Sequence, residues 1–149
     1  MTTKQTVDEF LGQRKLAVVG VSRNGRGFGY SAWRALSQQG YEAFPVNPQA
    51  ESIDGVRCYR GVRELPPDVG GVLIVVPPQQ AVRVVEDVAA AGIPRVWLQQ
   101  GAGSEEALAF CAAHAIHAVS GHCILMFADP HGIHKLHRWI SNLAGTLPQ

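Results

Sequence analysis

Gly20-Val21-Ser22-Arg23-Asn24-Gly25-Arg26-Gly27-Phe28-Gly29 follows directly on the apolar run Leu16-Ala17-Val18-Val19. A short continuous apolar run that ends in glycine is expected of a parallel strand buried on both faces. Glycines in the turn after such a strand let the backbone come close to a ligand, and the N–H groups that open the next helix favour a phosphate. Ser22 adds a hydroxyl, while Arg23 and Arg26 add charge-assisted contacts. The stretch therefore predicts an anion-binding βα turn. Its structural alternative is a flexible connection with incidental arginines.

The same alternation of strand and helix continues outward from this turn. Trp33 and Leu36 lie in a helical segment that Gly40 closes, and Ala43 to Val46 forms a second strand stopped by Asn47-Pro48. A turn-rich stretch from Gln49 to Pro67 follows, in which Val56 to Tyr59 adds a short strand. Gly71 to Val76 is a strongly β-branched strand, and Pro78 to Ala91 is a helix closed by Gly92. Arg95 to Leu98 and His117 to Ser120 are further strands, separated by a helix that Ser104 caps and that runs to about His114. Ile133, Leu136, Ile140 and Leu143 give the tail helical spacing, so a C-terminal helix is expected over about 131–144. Strands alternating with helices in this way mean βαβ units. The expected fold is one Rossmann-like α/β domain over 1–149, three-layered, with a mainly parallel sheet of five or six strands.

In such sheets ligands bind outside the carboxyl ends of the strands, where the strand order reverses. The segments of interest are therefore Gly20 to Asn24, Pro45-Val46-Asn47-Pro48, Val76-Pro77-Pro78 and Gln99-Gln100-Gly101. The first turn is not the dinucleotide fingerprint, because Ser22 stands where the second glycine belongs. The second strand also ends in Asn47-Pro48, without the acid that holds ribose hydroxyls. No Gly-Lys-Ser/Thr follows, so it is not a P-loop either.

Several stretches in order resemble one family. They are Val19-Gly20-Val21-Ser22, Gly40 to Pro48, Gly55-Val56-Arg57-Cys58-Tyr59, Val75-Val76-Pro77-Pro78 and Val96-Trp97-Leu98-Gln99-Gln100-Gly101-Ala102. The chain resembles the stand-alone CoA-binding domain proteins, which are related to the CoA-binding part of the succinyl-CoA ligase α chain and of NDP-forming acyl-CoA synthetases. The resemblance spans about Val7 to Met126. It implies that Gly20, Val21, Ser22, Arg23 and Asn24 meet the phosphates of coenzyme A, with Arg26 adding charge, and that Pro45 to Pro48 line the nucleotide. It further implies that Val76 and Pro77 pack on adenine, and that Gln99, Gln100 and Gly101 approach the pantetheine arm. For Pro45, Pro48 and Pro77 the alternative is simple strand termination. The family's ligases use further domains, one with a phosphorylated histidine and one of ATP-grasp type, and 149 residues leave room for neither.

Composition narrows the classes. A hydrophobic content of 46% with 17% charged residues is that of a globular protein, and a net charge of +1 argues against a broad nucleic-acid surface. The polar start, Met1 to Glu9, lacks the apolar core of a signal peptide, and no apolar run approaches membrane-spanning length. Cys58, Cys111 and Cys123, odd in number and widely spaced, read as free thiols of a reducing cytoplasm.

Two other constellations invite chemistry. His131, His134 and His137 are spaced three apart, so one pair could share a metal while all three could not on a straight helix. With Lys135 and Arg138 between them, a solvated or partner-facing basic helix is the preferred reading, and no metal is expected. His122-Cys123 could pair a base with a nucleophile, but Ile124-Leu125-Met126-Phe127 follow, and a buried small hydrophobe explains Cys123 better. Asp8, Glu9, Glu86 and Asp87 read as solvated helix faces. The expected function is non-catalytic binding of coenzyme A or an acyl-CoA. The alternative is an NAD(P)- or CoA-dependent enzyme using the same site. Trp139, Ile140 and Leu143 leave room for self-association or a protein partner through the C-terminal helix.

Overall fold

The computed structural model describes residues 2–126. The helix expected over 131–144, with His131, His134 and His137, lies outside the described residues. The elements run α1 (Lys4–Leu11), β1 (Lys15–Val19), α2 (Phe28–Gln38), β2 (Glu42–Val46), the short strands β3 (Ser52–Ile53) and β4 (Val56–Arg57), and a 3-10 turn (Val62–Glu64). Then come β5 (Gly71–Ile74), α3 (Pro78–Ala91), β6 (Arg95–Leu98), α4 (Glu105–Ala113), β7 (His117–Ser120) and a second 3-10 turn (Ile124–Met126).

Five strands form one sheet in the order β2-β1-β5-β6-β7, and every neighbouring pair is parallel. This is the Rossmann-like α/β architecture that the strand–helix alternation predicts. Side-chain alternation along the strands makes the three layers. Leu16, Val18, Leu73, Trp97 and Val119 turn to the face covered by α1 and α2. Ala17, Val19, Val72, Ile74, Val96, Leu98 and Ala118 turn to the face covered by α3 and α4. Both faces are buried, which is why these strands read as continuous apolar runs.

Sequence punctuation sets most of the element ends. Pro78 sits at the first position of α3, where a missing N–H costs nothing, and Gly92 closes the helix in the left-handed conformation. The Ser104 hydroxyl accepts the Ala107 N–H at 3.1 Å, with Glu105 and Glu106 in the first turn of α4. The strand expected over Gly71–Val76 is regular over Gly71–Ile74; the Val75 N–H makes one more bond, to the Val19 carbonyl, before Pro77, which has no N–H to offer. Pro45 stays inside β2 because that strand is the sheet edge. Glu42 and Val46 face β1, so the missing N–H of Pro45 points outward.

The sequence reading puts Asp8 and Glu9 on a helix face without bounding the helix, and α1 supplies it. A reciprocal pair of bonds between Thr3 and Thr6 starts it, and Val7, Phe10 and the partly buried Leu11 anchor it. Phe10 meets Trp97 edge-on, with ring centroids 5.4 Å apart. Glu9, read as solvated, lies 3.2 Å from Nδ1 of His117.

Candidate functional site

From β1 the chain steps outward to β2 and then returns to β5 on the other side of β1. The order therefore reverses between β1 and β5, and their carboxyl ends flank a crevice. A cleft of about 320 Å³ occupies it. Gly20, Val21 and Ser22 line it from the first turn, Val46, Asn47 and Pro48 from the end of β2, and Val76 from beyond β5. A second cleft of about 240 Å³ lies beside it, lined by Val75, Val76, Pro77, Gln100, Gly101 and Ala102.

Two close backbone approaches shape the first turn. Gly20 has φ +104°, and a Cβ there would lie 2.1 Å from the Val75 carbonyl oxygen. A Cβ on Gly29 would lie 2.2 Å from the Gly20 carbonyl oxygen. Glycine at these two positions lets β1, the end of β5 and the first turn of α2 meet. Gly27 opens α2 and offers no side-chain acceptor. The N–H groups of Phe28, Gly29 and Tyr30 thus have no intrahelical partner, and among the described residues no side chain caps them.

This sets α2 apart from its neighbours. Side chains cap α1 and α4, through Thr3 and Ser104. Helix α3 lacks such a cap, but Pro78 has no N–H and the Gln80 N–H bonds to the Pro77 carbonyl at 2.9 Å. Of the helices that begin at this crevice, α2 has the donors to spare.

Other expected site residues have partners already. Ser22 Oγ accepts the Asn24 N–H at 3.2 Å, Asn24 Oδ1 accepts the Arg26 N–H at 3.1 Å, and the Ser22 hydroxyl donates to Asn24 Oδ1. The turn is thus folded on itself. Arg23 and Arg26 are exposed, and neither pairs with a carboxylate among the described residues. Arg23 reaches only the Gln49 carbonyl, at 3.4 Å. The Asn47 carboxamide donates to the Val21 carbonyl and accepts the Gln49 N–H, both at 2.8 Å, so it ties the two loops together. Pro45 is buried under the strand end. Gln99, 6% exposed, accepts the Ile124 N–H at 3.1 Å and fixes the segment after β7, while Gln100 stands free.

Sequence reasoning does not find Arg60, Val62, Gln80, Val84 and Asp87, which also line the main cleft. Gln80, Val84 and Asp87 follow the Val76-Pro77-Pro78 corner at helical spacing, and that periodicity is the signal for them. Arg60 has no such local signal. It comes into place because Tyr59 pairs alongside Val46. The Tyr30 hydroxyl donates to Asp54 in the β3–β4 turn, and this bond holds the phenol above its ordinary value. It ties the start of α2 to the hairpin.

Two of the three thiols, Cys58 and Cys111, are buried. Burial pushes Cys111 up to about 11 and raises Cys58 as well. Cys123 is half-buried rather than fully enclosed. A thiol at about 11 is thiolate in roughly one molecule per thousand at pH 8. Titration of the native protein with an aromatic disulfide at pH 8 should release one equivalent quickly, from Cys123. Rapid release of all three would contradict the burial of Cys58 and Cys111. Among the described residues, no group of three His, Cys, Asp or Glu side chains is placed to hold a metal, and no helix is long and apolar enough to cross a membrane.

Residues 14–129 match the family model described as CoA binding domain. The chain belongs to this CoA-binding domain family. The domain is similar to the α subunit of the ADP-forming acetate–CoA ligase II of Pyrococcus furiosus, at 38% identity over 72 residues. That match covers 48% of this chain but only 16% of the ligase subunit. It is also similar to protein YneT of Bacillus subtilis, 30% identical over 106 residues, which covers 70% of this chain and 78% of YneT. Among solved structures, a conserved hypothetical protein from Pyrococcus furiosus superposes with a TM-score of 0.73 at 40% identity. That superposition covers 76% of this chain and 97% of the other. The CoA-binding domain thus has relatives both as a small part of larger ligases and as proteins of its own size.

Proposed function

We propose that this chain binds coenzyme A or an acyl-CoA in the cleft at the β1–β5 crevice, and that it holds the ligand without reacting with it. The observation that carries the reading is the uncapped start of α2 at the strand-order reversal, in a chain of the CoA-binding domain family. Free backbone donors and the positive end of the helix suit a diphosphate. Arg23 and Arg26, unpaired with carboxylates, supply charge at its rim. Val46, Pro48, Val62, Val76 and Val84 offer apolar surface to the nucleoside. The second cleft, over Pro77, Gln100 and Gly101, suits an extended pantetheine arm.

The polar groups at the cleft favour binding over chemistry. Its carboxylate, Asp87, is engaged by Arg63 at 3.1 Å, and the amide of Asn47 is committed to backbone. No nucleophile with a base beside it lines either cleft among the described residues.

Calorimetry with coenzyme A and NAD tests the reading. Coenzyme A should bind, and NAD should bind at least about tenfold more weakly, because the β2 tip offers no carboxylate to the ribose diol. No heat and no thermal shift with coenzyme A up to millimolar concentration would overturn it.

A further inference from the structure

We infer that Arg60 recognises the ribose 3′-phosphate of coenzyme A, and so selects coenzyme A over dephospho-coenzyme A. The inference rests on the coenzyme A reading above. Among the described residues lining the main cleft, Arg60 is the only cation. Its place follows from the pairing at the sheet edge. Tyr59 bridges in parallel to Val46, its N–H donates to the Pro45 carbonyl, and its carbonyl accepts the Asn47 N–H, both at 2.9 Å. The chain before Arg60 thus runs as one further step outside β2.

Across the strand ends the order is then Arg60, the β2 tip with Asn47 and Pro48, the β1 turn, and Val76 beyond β5. The diphosphate belongs with the start of α2, directly after β1. In dinucleotide-binding sheets of this kind the ribose lies at the tip of the second strand, where an arginine nearby accommodates a 2′-phosphate; the 3′-phosphate of coenzyme A is carried on the neighbouring ribose carbon. Arg60 flanks that tip from the side away from the diphosphate. Arg23 and Arg26, by contrast, sit in the β1 turn.

The other cations at this edge are engaged. Arg57 lies over the Tyr59 ring, 4.8 Å from its centroid, and Arg63 holds Asp87. Among the described residues the Arg60 guanidinium contacts the Glu51 carboxylate, at 3.5 Å, and both side chains are largely exposed, at 65% and 88%. Such a pair contributes little and exchanges readily for a phosphate that a guanidinium can grip with two N–H groups. The base of the residue is fixed, because the Glu64 carboxylate accepts the Arg60 N–H at 3.1 Å. That contact is to backbone and survives any change of side chain.

The test measures dissociation constants of coenzyme A and dephospho-coenzyme A for the full chain, with Arg60→Gln, Glu51→Gln and Arg26→Gln beside it. The wild-type chain should prefer coenzyme A by about tenfold, the size of one charge-assisted contact. Arg60→Gln should reduce that preference to about twofold or less while dephospho-coenzyme A binds as before. Glu51→Gln should strengthen coenzyme A alone, about twofold, by freeing the guanidinium. Arg26→Gln should weaken both ligands alike. A preference that persists in Arg60→Gln, or equal weakening of both ligands by that change, overturns the assignment. A wild-type chain that binds both ligands equally also overturns it and leaves the coenzyme A reading standing, whereas one that binds neither removes both.

Discussion

Replacing Gly20 with alanine is expected to lower the unfolding midpoint by about 10 °C, although it adds one methyl group. The new Cβ would stand 2.1 Å from the carbonyl oxygen of Val75 and 2.9 Å from its carbonyl carbon. That carbonyl cannot move aside cheaply, since the Val75 N–H is bonded to the Val19 carbonyl at 2.9 Å in the extension of the sheet. The backbone at Gly20, with φ +104°, is also one that an L residue adopts only under strain. Strain and overpacking each cost about 1–3 kcal/mol, so a loss of roughly 3 kcal/mol is expected. Gly103→Ala is the control. Its Cβ would meet the Ser120 Cβ at 3.7 Å, an ordinary contact, and it should change stability by less than about 0.5 kcal/mol. Thermal unfolding of both variants decides the matter. A Gly20→Ala midpoint as high as the Gly103→Ala midpoint would mean that β1 and β5 do not close on each other as described.

Much of this frame is legible in the sequence because the same features that organise the chain are local. Buried parallel strands are written around apolar runs, Val96-Trp97-Leu98 in β6 and Ala118-Val119 in β7, and both strands can be read to the residue. Pro78 and Gly92 bracket α3 for equally local reasons. Helix α1 is read only through Asp8 and Glu9 and is not bounded, because Val7, Phe10 and Leu11 make a single i, i+3, i+4 turn of apolar period and because its cap uses a second threonine where an acid or amide would be the cue. The β3–β4 hairpin and the 3-10 turn over Val62–Glu64 sit in a stretch rich in turn formers, where composition says loop and no more.

The site divides along the same line. Its location follows from strand order, and strand order follows from the alternation of elements. What each polar side chain does there depends on a partner distant in sequence. The resemblance implies ligand contacts for Asn47 and Gln99; the fold adds that one is bonded to Val21 and Gln49 and the other to Ile124. Arg60 reads as an ordinary loop cation until Tyr59 is paired beside β2. Pairings of that sort carry no periodic signal, so only the folded chain reveals them.

Because Asn47 both joins the loops and stands at the β2 tip, Asn47→Asp should weaken coenzyme A binding by about 100-fold. Aspartate can still accept the Gln49 N–H, but it has no donor for the Val21 carbonyl, which Asn47 satisfies at 2.8 Å. That lost bond costs about 1 kcal/mol and loosens the β1 turn against the β2 tip. The new carboxylate would stand at the β2 tip, beside the proposed ribose and one strand away from the proposed diphosphate. At roughly 6 Å and an effective dielectric of about 20 the repulsion is near 3 kcal/mol, and exposure and salt reduce it to roughly 2 kcal/mol. Together the two effects come to about 3 kcal/mol, or the stated 100-fold. Asn47→Ala separates them, since it removes the tie without adding charge and should weaken binding by only about fivefold. Both variants should lose a similar, small amount of thermal stability, which distinguishes a binding defect from an unfolding one. Titration calorimetry at low and high salt completes the comparison. The gap between the aspartate and alanine variants should narrow as salt rises, since only the charge term is screened. Equal affinities for the two variants at low salt would move the diphosphate away from the β1 and β2 tips, and with it the proposed orientation of the ligand.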